Sequence, residues 1–574
     1  MAPSSLKRRR MLHNAVRKIL IPVFILFCLA TCIPVKTHFA NIFQPPTKLE
    51  GYTGGLIDDV RFLKCFRWYK DCDVILEKRG RNGEFVPWMR VRKELDEEKL
   101  YSVDSGLFYR SYLYVHPCDG NKDCVSDLAI AKDRSSIPMQ VLQDINAKIQ
   151  SKDSSMFHGH EHHKTFWTRI FGGRRERLSL QGEDWHYRRH GIWCKYSSSN
   201  KIDEGQSITN LQIFLGSGFV DPRPMWKTAI HEMDHRNSES PTPISISIQK
   251  YDKSMDSRFV TENGILNADD GKFKILQVSD LHVSNAIERC ESHLCTNEWK
   301  TQRFISRIIE LETPDLVVFT GDFINGPETT DYQTAILKAT ECVISAKIPW
   351  AMTWGTLDYS KYASERDIFN FIKSLPYNLN YLHAKQVQDA SLITTTFALQ
   401  LKRDNEIFGV VYILDSTNPE NAVDFLKTAY ENASKNSDRD TLYSLAFQHA
   451  PIPEYRPSGS FPIIGSYNDK SPLDVPQVGI RKALDDFKIH AFSCGQEHGN
   501  DCCLQSSDSN SNKDVWLCYG GHAGVVGRYS PEDSASSVRL FRIDDSLKEI
   551  TTWKRNSREP DSVYDYQFLF KDNP

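Results

Sequence analysis

Five short segments carry the residues that could do chemistry. Asp280 and His282 stand one residue apart, and Gly321-Asp322, Gly355-Thr356-Leu357-Asp358, His449 and Gly495-Gln496-Glu497-His498 follow in order. An aspartate beside an imidazole on a loop suits a hard-to-borderline divalent metal. One such pair says little, because any strand can end in Asp. Five polar ends in succession, each after an apolar run, describe the rim of one site.

The elements that must position them are legible as alternating patterns. Strands are predicted at 275–278, 316–319, 350–354, 443–447, 490–493 and 516–519. Between them the helical spacing of Phe304, Ile305, Ile308 and Ile309 predicts a helix over 299–312. Ser364 as N-cap, with Ile368, Phe371, Ile372 and Leu375 inward, predicts another over 364–375. Further helices fit 330–346, 420–432 and 478–487. Strands alternating with helices imply an α/β sheet covered on both faces. In such sheets sites form beyond the carboxyl ends of the strands, and all five segments lie there.

These segments resemble the calcineurin-like metallophosphoesterase family, whose pattern is D-x-H, G-D, G-N-H-D/E, H and G-H-x-H. The strings "ILQVSDLHVS", "PDLVVFTGDFING", "IPWAMTWGTLD", "FQHAPIPEY", "GQEHGNDCC" and "WLCYGGHAGVVGRY" carry the likeness from Phe273 nearly to the end. They are closest to the branch related to purple acid phosphatases and the yeast dosage-dependent cell-cycle regulator phosphatase. The resemblance implies a four-layer αββα sandwich and an ancestral phosphomonoester hydrolysis, with phosphoproteins among the substrates. It implies a first metal held by Asp280, His282, Asp322 and His498, with Asp322 bridging to a second that His449 also binds.

The chain departs from the family at three positions. The second metal's Asn is Thr356, its first His in G-H-x-H is Gln496, and the catalytic His is Leu357. A hydroxyl and a side-chain amide are poor substitutes for an amide oxygen and an imidazole, and leucine has no proton to give. Losing a general acid costs about 10²–10⁴ in rate, roughly 3–5 kcal/mol. The expectation is one divalent ion (Zn, Mn or Fe) rather than two, weak or absent turnover, and a surviving role in binding a phosphorylated ligand or a protein partner. The alternative is an active phosphatase recruiting Asp358, Glu497 or His522. A remnant in which Asp280 and His282 hold loops without metal is the third reading.

The rest of the chain sets the setting. At 574 residues two folded units are expected, and a net charge of -3 gives no reason to expect a nucleic-acid partner. Lys7 to Arg10, Arg17 and Lys18 precede an uncharged apolar run at 19–35. At about 1.5 Å per residue this run covers roughly 25 Å, enough for a short membrane span. Basic residues before it and few after predict a cytoplasmic tail at 1–18, a signal anchor at 19–35 and a stalk at 36–50. A cleaved signal peptide ending near Ala30-Thr31-Cys32 is the alternative. The expectation is a type II membrane protein of the secretory pathway, with its main domains lumenal or extracellular.

Fourteen cysteines fit that oxidising setting. Cys65 with Cys72, Cys118 with Cys124, and Cys290 with Cys295 are local candidate pairs, and Cys502-Cys503 has Cys494 or Cys518 within reach. Asn432-Ala433-Ser434 is a glycosylation sequon. Short apolar runs broken by Gly, Pro and charge over 51–265 predict a β-rich domain before the 273–574 domain. A polar loop containing His158, His160, His162 and His163 reads as a solvated insert, with metal binding the less favoured reading.

Overall fold

The computed structural model describes residues 52–66, 72–79, 84–93, 95, 104–105, 108–118, 123–131, 141, 143, 185–197, 207–216, 218–229, 243–250, 261, 263–268, 270–285, 297–386, 393–439, 441–457, 461–469, 479–507, 514–524 and 535–572. The anticipated anchor, the stalk, the four-histidine loop and the Cys290–Cys295 pair lie outside these residues. Among the described residues no helix is long and apolar enough to cross a membrane.

The strand Lys272–Val278 buries every side chain from Ile275 onward, as a strand covered on both faces requires. It lies in a six-stranded sheet of order Trp350–Met352, Leu316–Phe319, Lys272–Val278, Ser537–Asp544, Glu549–Asn556, Tyr564–Lys571. The first three strands run parallel, and the rest are added antiparallel. An eight-stranded sheet stacks on it, in the order Ile265–Asn267, Phe397–Arg403, Glu406–Ile413, Tyr443–Phe447, Ala491–Cys494, Asp514–Tyr519, Cys503–Ser507, Ile463–Ile464. Ile275, Val318 and Phe541 of one sheet share a core with Leu399, Leu445 and Ala491 of the other.

Helices close both outer faces. Asn297–Glu312, Tyr332–Ser345 and Glu365–Ser374 cover the six-stranded sheet, and Pro419–Lys435 and Ile480–Asp486 cover the eight-stranded one. Their starts follow from local chemistry. Ser364 and Asp367 cap each other's backbone reciprocally, and Asn418 caps a helix whose first residue is Pro419. Every strand and helix expected in this half of the chain is present, with ends shifted by a few residues.

Before residue 265 the described residues are β-rich and form three small antiparallel sheets. Two of the local disulfides, Cys65–Cys72 and Cys118–Cys124, are formed here. Of the alternatives near the second-half rim, Cys503 bonds Cys518, while Cys494 and Cys502 are buried free thiols. The β-rich region shares one hydrophobic core with the helices of the second half: Phe214, Leu215 and Ile246 pack in the same cluster as Tyr332, Ile336 and Phe371.

A buried polar joint fixes that contact. Asp331, fully buried, caps the Tyr332–Ser345 helix through Gln333 N and Thr334 N, and it accepts Leu215 N at 2.8 Å. Lys93 Nζ reaches the same carboxylate at 2.8 Å and also donates to Ile213 O at 2.7 Å. Removing one partner of a buried pair strands the other charge, at a cost of about 3–5 kcal/mol. Asp331→Ala should therefore lower unfolding stability by about that amount, and adding Lys93→Met should recover part of the loss. Urea denaturation followed by tryptophan fluorescence checks both; equal stability of Asp331→Ala and wild type would contradict the joint.

Candidate metal centre

The loops that leave the carboxyl ends of both sheets are strained where they carry the polar residues. Asp280, His282, Asp322 and Gln496 adopt φ of 54°, 50°, 49° and 68°, a left-handed region that side chains with a Cβ seldom occupy. A mesh of backbone bonds holds them there. His282 N donates to Asp322 O at 2.9 Å, Asp280 N to Gly321 O at 3.2 Å, and Gly495 N to His449 O at 3.0 Å. Two glycines permit the approach: a Cβ on Gly321 would lie 2.4 Å from His449 Nδ1, and one on Gly355 2.0 Å from Asp322 N.

Five of the expected residues converge. The ligand-type atoms of Asp280, His282 and His498 lie within 4.8 Å of one another, and so do those of Asp280, Asp322 and His449. His282 Nε2 faces His498 Nε2 at 3.1 Å, and His498 Nε2 lies 3.3 Å from Asp280 Oδ1. Asp280 is therefore common to both groups, while Asp322 keeps company with His449, at 3.7 Å, rather than with the two histidines. His449 Nδ1 donates to Thr320 O at 2.9 Å, so its Nε2 presents a lone pair to the site.

The electrostatics follow from burial among like and unlike charges. Burial opposes ionisation of Asp280, yet the His498 hydrogen bond and the charges of His498, His449 and His282 hold its carboxyl below the usual range. Burial lowers the His282 pKa against the pull of Asp280 and Asp322. Burial disfavours charge on His449 too, but Asp322 and Asp280 outweigh it and raise this pKa. Asp280 Oδ1 is buried with the 3.3 Å contact to His498 Nε2, and His449 Nε2 is buried without a hydrogen-bond partner. An inward carboxylate oxygen and an imidazole lone pair, beside two more imidazoles and a second carboxylate, fit a divalent cation.

The three substituted positions also line this site. A cleft of about 500 Å³ opens over His282, Asp322 and His498, walled by Thr356, Leu357 and Gln496. Thr356 Oγ1 donates to Asp322 at 3.2 Å and Leu357 N donates to it at 2.7 Å, so this loop orients the carboxylate. Of the suggested replacement groups, Asp358 turns inward and accepts Asp322 N and Gly355 N, both at 2.9 Å, and Ile324 N at 3.1 Å. Burial and the nearby Asp322 push its pKa up. Glu497 is spent on Arg456 and on Asn500 Nδ2, the latter at 2.6 Å. His522 stacks on the His498 ring at 5.8 Å and its Nδ1 meets His498 O at 3.1 Å. It backs the site and does not face the cleft.

Asn468, Asp469 and Gly499 complete the cleft wall, and sequence reasoning missed the first two. They follow a two-residue edge strand, so no apolar run announces them. Buried Asn500 docks them, its Oδ1 accepting Asn468 N and Asp469 N at 2.8 Å each. Tyr455 shapes the neighbouring loop, its one hydroxyl proton shared between Phe492 O and Cys518 O at 2.9 and 2.8 Å.

Comparison with known proteins gives this arrangement a lineage. The family model for calcineurin-like phosphoesterases matches residues 273–499. The chain is 33% identical to Protein SIA1 of Kluyveromyces lactis over 602 aligned positions, which span 98% of each chain. It is 32% identical to Phosphatase DCR2 of Saccharomyces cerevisiae, over 53% of this chain and 57% of that one. It is 28% identical to the probable inactive purple acid phosphatase 28 of Arabidopsis thaliana, over 53% of this chain and 85% of that one.

If Asp280 is the shared ligand, Asp280→Asn should weaken zinc or manganese binding by more than about 100-fold, since loss of an outer-shell partner alone costs about 10–100-fold. Affinity should also fall as the pH drops below neutral, with His449 taking a proton before His282, because their pKa values move in opposite directions. Calorimetric titration of the metal at several pH values checks this; undiminished binding by Asp280→Asn would contradict it.

Proposed function

Because the chain belongs to the calcineurin-like phosphoesterase family, we propose that it holds one divalent ion and a phosphorylated ligand, and that it turns the ligand over weakly or not at all. The observation that carries this reading is the composition of the wall beside Asp322 and His449. A hydroxyl, an isobutyl group and a side-chain amide stand there, where a second ion and a general acid would need imidazoles and an amide oxygen.

Asp280, His282 and His498, with Asp322 alongside, are the residues that would hold the ion. A divalent ion there supplies Lewis acidity toward a phosphoryl oxygen. The chain's own groups do the rest. Thr356 and the Leu357 amide fix Asp322, and Thr320 fixes the His449 tautomer. The Leu357 side chain offers no proton to a departing alkoxide, a deficit of about 10²–10⁴ in rate. Engagement of Asp358 and Glu497 in other bonds weighs against the reading in which they serve as replacement ligands.

We extend the proposal to location. The uncharged run at 19–35 would anchor the chain, with the folded residues on the lumenal or extracellular side, consistent with three disulfides among the described residues. Asn432 is exposed on the Pro419–Lys435 helix. Glycosidase treatment should shift the protein from its native host on a gel, and Asn432→Gln should abolish that shift; an unmodified Asn432 would argue against this topology.

Activity is tested with p-nitrophenyl phosphate and the protein loaded with zinc, manganese or iron. Wild type should run near background, and the triple change Thr356→Asn, Leu357→His, Gln496→His should raise the rate by about 10²–10⁴. Two ions per chain, with turnover that Asp322→Asn removes, would sink the proposal.

A further inference from the structure

The loop that carries Asp280 and His282 ends against the β-rich region. Past His282 it runs beside the Asp322 loop, with Val283 N donating to Phe323 O at 3.1 Å and Asn325 N to Val283 O at 2.8 Å. Two loops tied to each other still need a fixed point outside the pair. Asn285, fully buried, supplies one. Its Oδ1 accepts Thr330 N at 2.8 Å and Asp331 N at 3.0 Å, and its Nδ2 donates to Thr330 Oγ1 and to Leu215 O, both at 2.9 Å. A side-chain amide has two donor hydrogens and two lone pairs, so all four are engaged and its orientation is unique. Leu215 ends a β-rich strand, and its own N donates to Asp331 at 2.8 Å. The next residue, Gly216, adopts φ of 139°, and a Cβ there would lie 3.0 Å from Asn285 O and 3.4 Å from Asn285 Cβ. The strand end is thus pressed against the metal loop, three residues beyond His282.

We infer that the β-rich region is a coupled part of the metal centre, with Asn285 as the positioning residue that transmits its hold to Asp280 and His282. This deepens the proposed function and rests on its bound ion. Asp280 and His282 keep left-handed backbone, at φ of 54° and 50°. Such strain persists only where the surrounding structure over-determines it. Asn285 ties the far end of that strained run to a residue 70 positions earlier in the chain. Undocking of Leu215 and Gly216 frees that end, lets both dihedrals relax, and spreads the carboxylate and imidazole that would hold the ion. Docking and ion binding are then linked equilibria, and each strengthens the other by the same factor.

Hydrogen exchange on the full wild-type chain, with and without saturating zinc, reads that reciprocity and needs no variant to fold. Zinc should slow exchange of peptides over 211–216 by about 3–30-fold more than peptides over 109–117, which belong to a different β-rich sheet. General stabilisation of the fold would slow both alike. Gly216→Ala should weaken zinc binding by a similar factor in calorimetry. Gly55→Ala should not, since that glycine has a comparable φ of 123° but nothing within 4 Å of its Cβ. Equal slowing of the two peptides, no slowing over 211–216, or equal zinc affinity of Gly216→Ala and wild type would overturn the inference. Zinc affinity of the wild type separates this inference from the reading beneath it. Zinc bound without these effects overturns the role of Asn285 alone, and no zinc bound overturns the proposed ion with it.

Discussion

A carboxylate removed almost wholly from water is expensive unless positive charge is supplied to it. Asp280 is 1% exposed, and the second half of the chain is arranged around meeting that need. Its Oδ2 is held by Ser279 Oγ and Gln496 N, which leaves Oδ1 toward the two histidines. The strain of four left-handed residues is tolerated because the loops that follow four strands exchange backbone bonds in pairs. Asp322 gains its own scaffold from Asp358, an inward acid whose three backbone donors lock the neighbouring turns together.

The two sides of this centre are built to different standards. Around Asp280 the donors are imidazoles and carboxylates backed by further polar contacts, and even His522 is recruited to stack behind His498. Around His449 the backbone is held by bonds of the same kind, but the neighbouring side chains contribute packing and hydrogen bonds. Thr356 and Leu357 keep the carboxylate of Asp322 oriented without adding to its ligand set. The scaffold therefore tolerates change in side-chain chemistry where its geometry depends only on main-chain amides.

That division explains what could be read from the chain and what could not. The buried strands and the polar residues just past them were legible because burial on two faces imposes a continuous apolar run, and Asp280, His282, Asp322, His449 and His498 do meet in space. Direction was not legible. Asp358 closes the third polar segment and Glu497 stands beside His498 in the sequence, yet one turns to backbone amides and the other to Arg456. Asn468 and Asp469 were invisible for the opposite reason, since buried Asn500, some thirty residues later, is what brings them to the cleft. The shared core between the β-rich region and the helices was also hidden, because it depends on apolar faces from distant parts of the chain.

The joint between Lys93 and the Tyr332–Ser345 helix has a bearing on biogenesis. Lys93 and its partner Gln333 are separated by 240 positions. At a synthesis rate of about 5–20 residues per second, the first waits roughly 12–48 s for the second to emerge. Through that interval the lysine has no carboxylate to dock against, and the apolar faces of the β-rich region have no helices to cover them. Those faces stay uncovered until the ribosome reaches the helix that completes the joint, so the docking of the amino-terminal half is timed by synthesis of that helix.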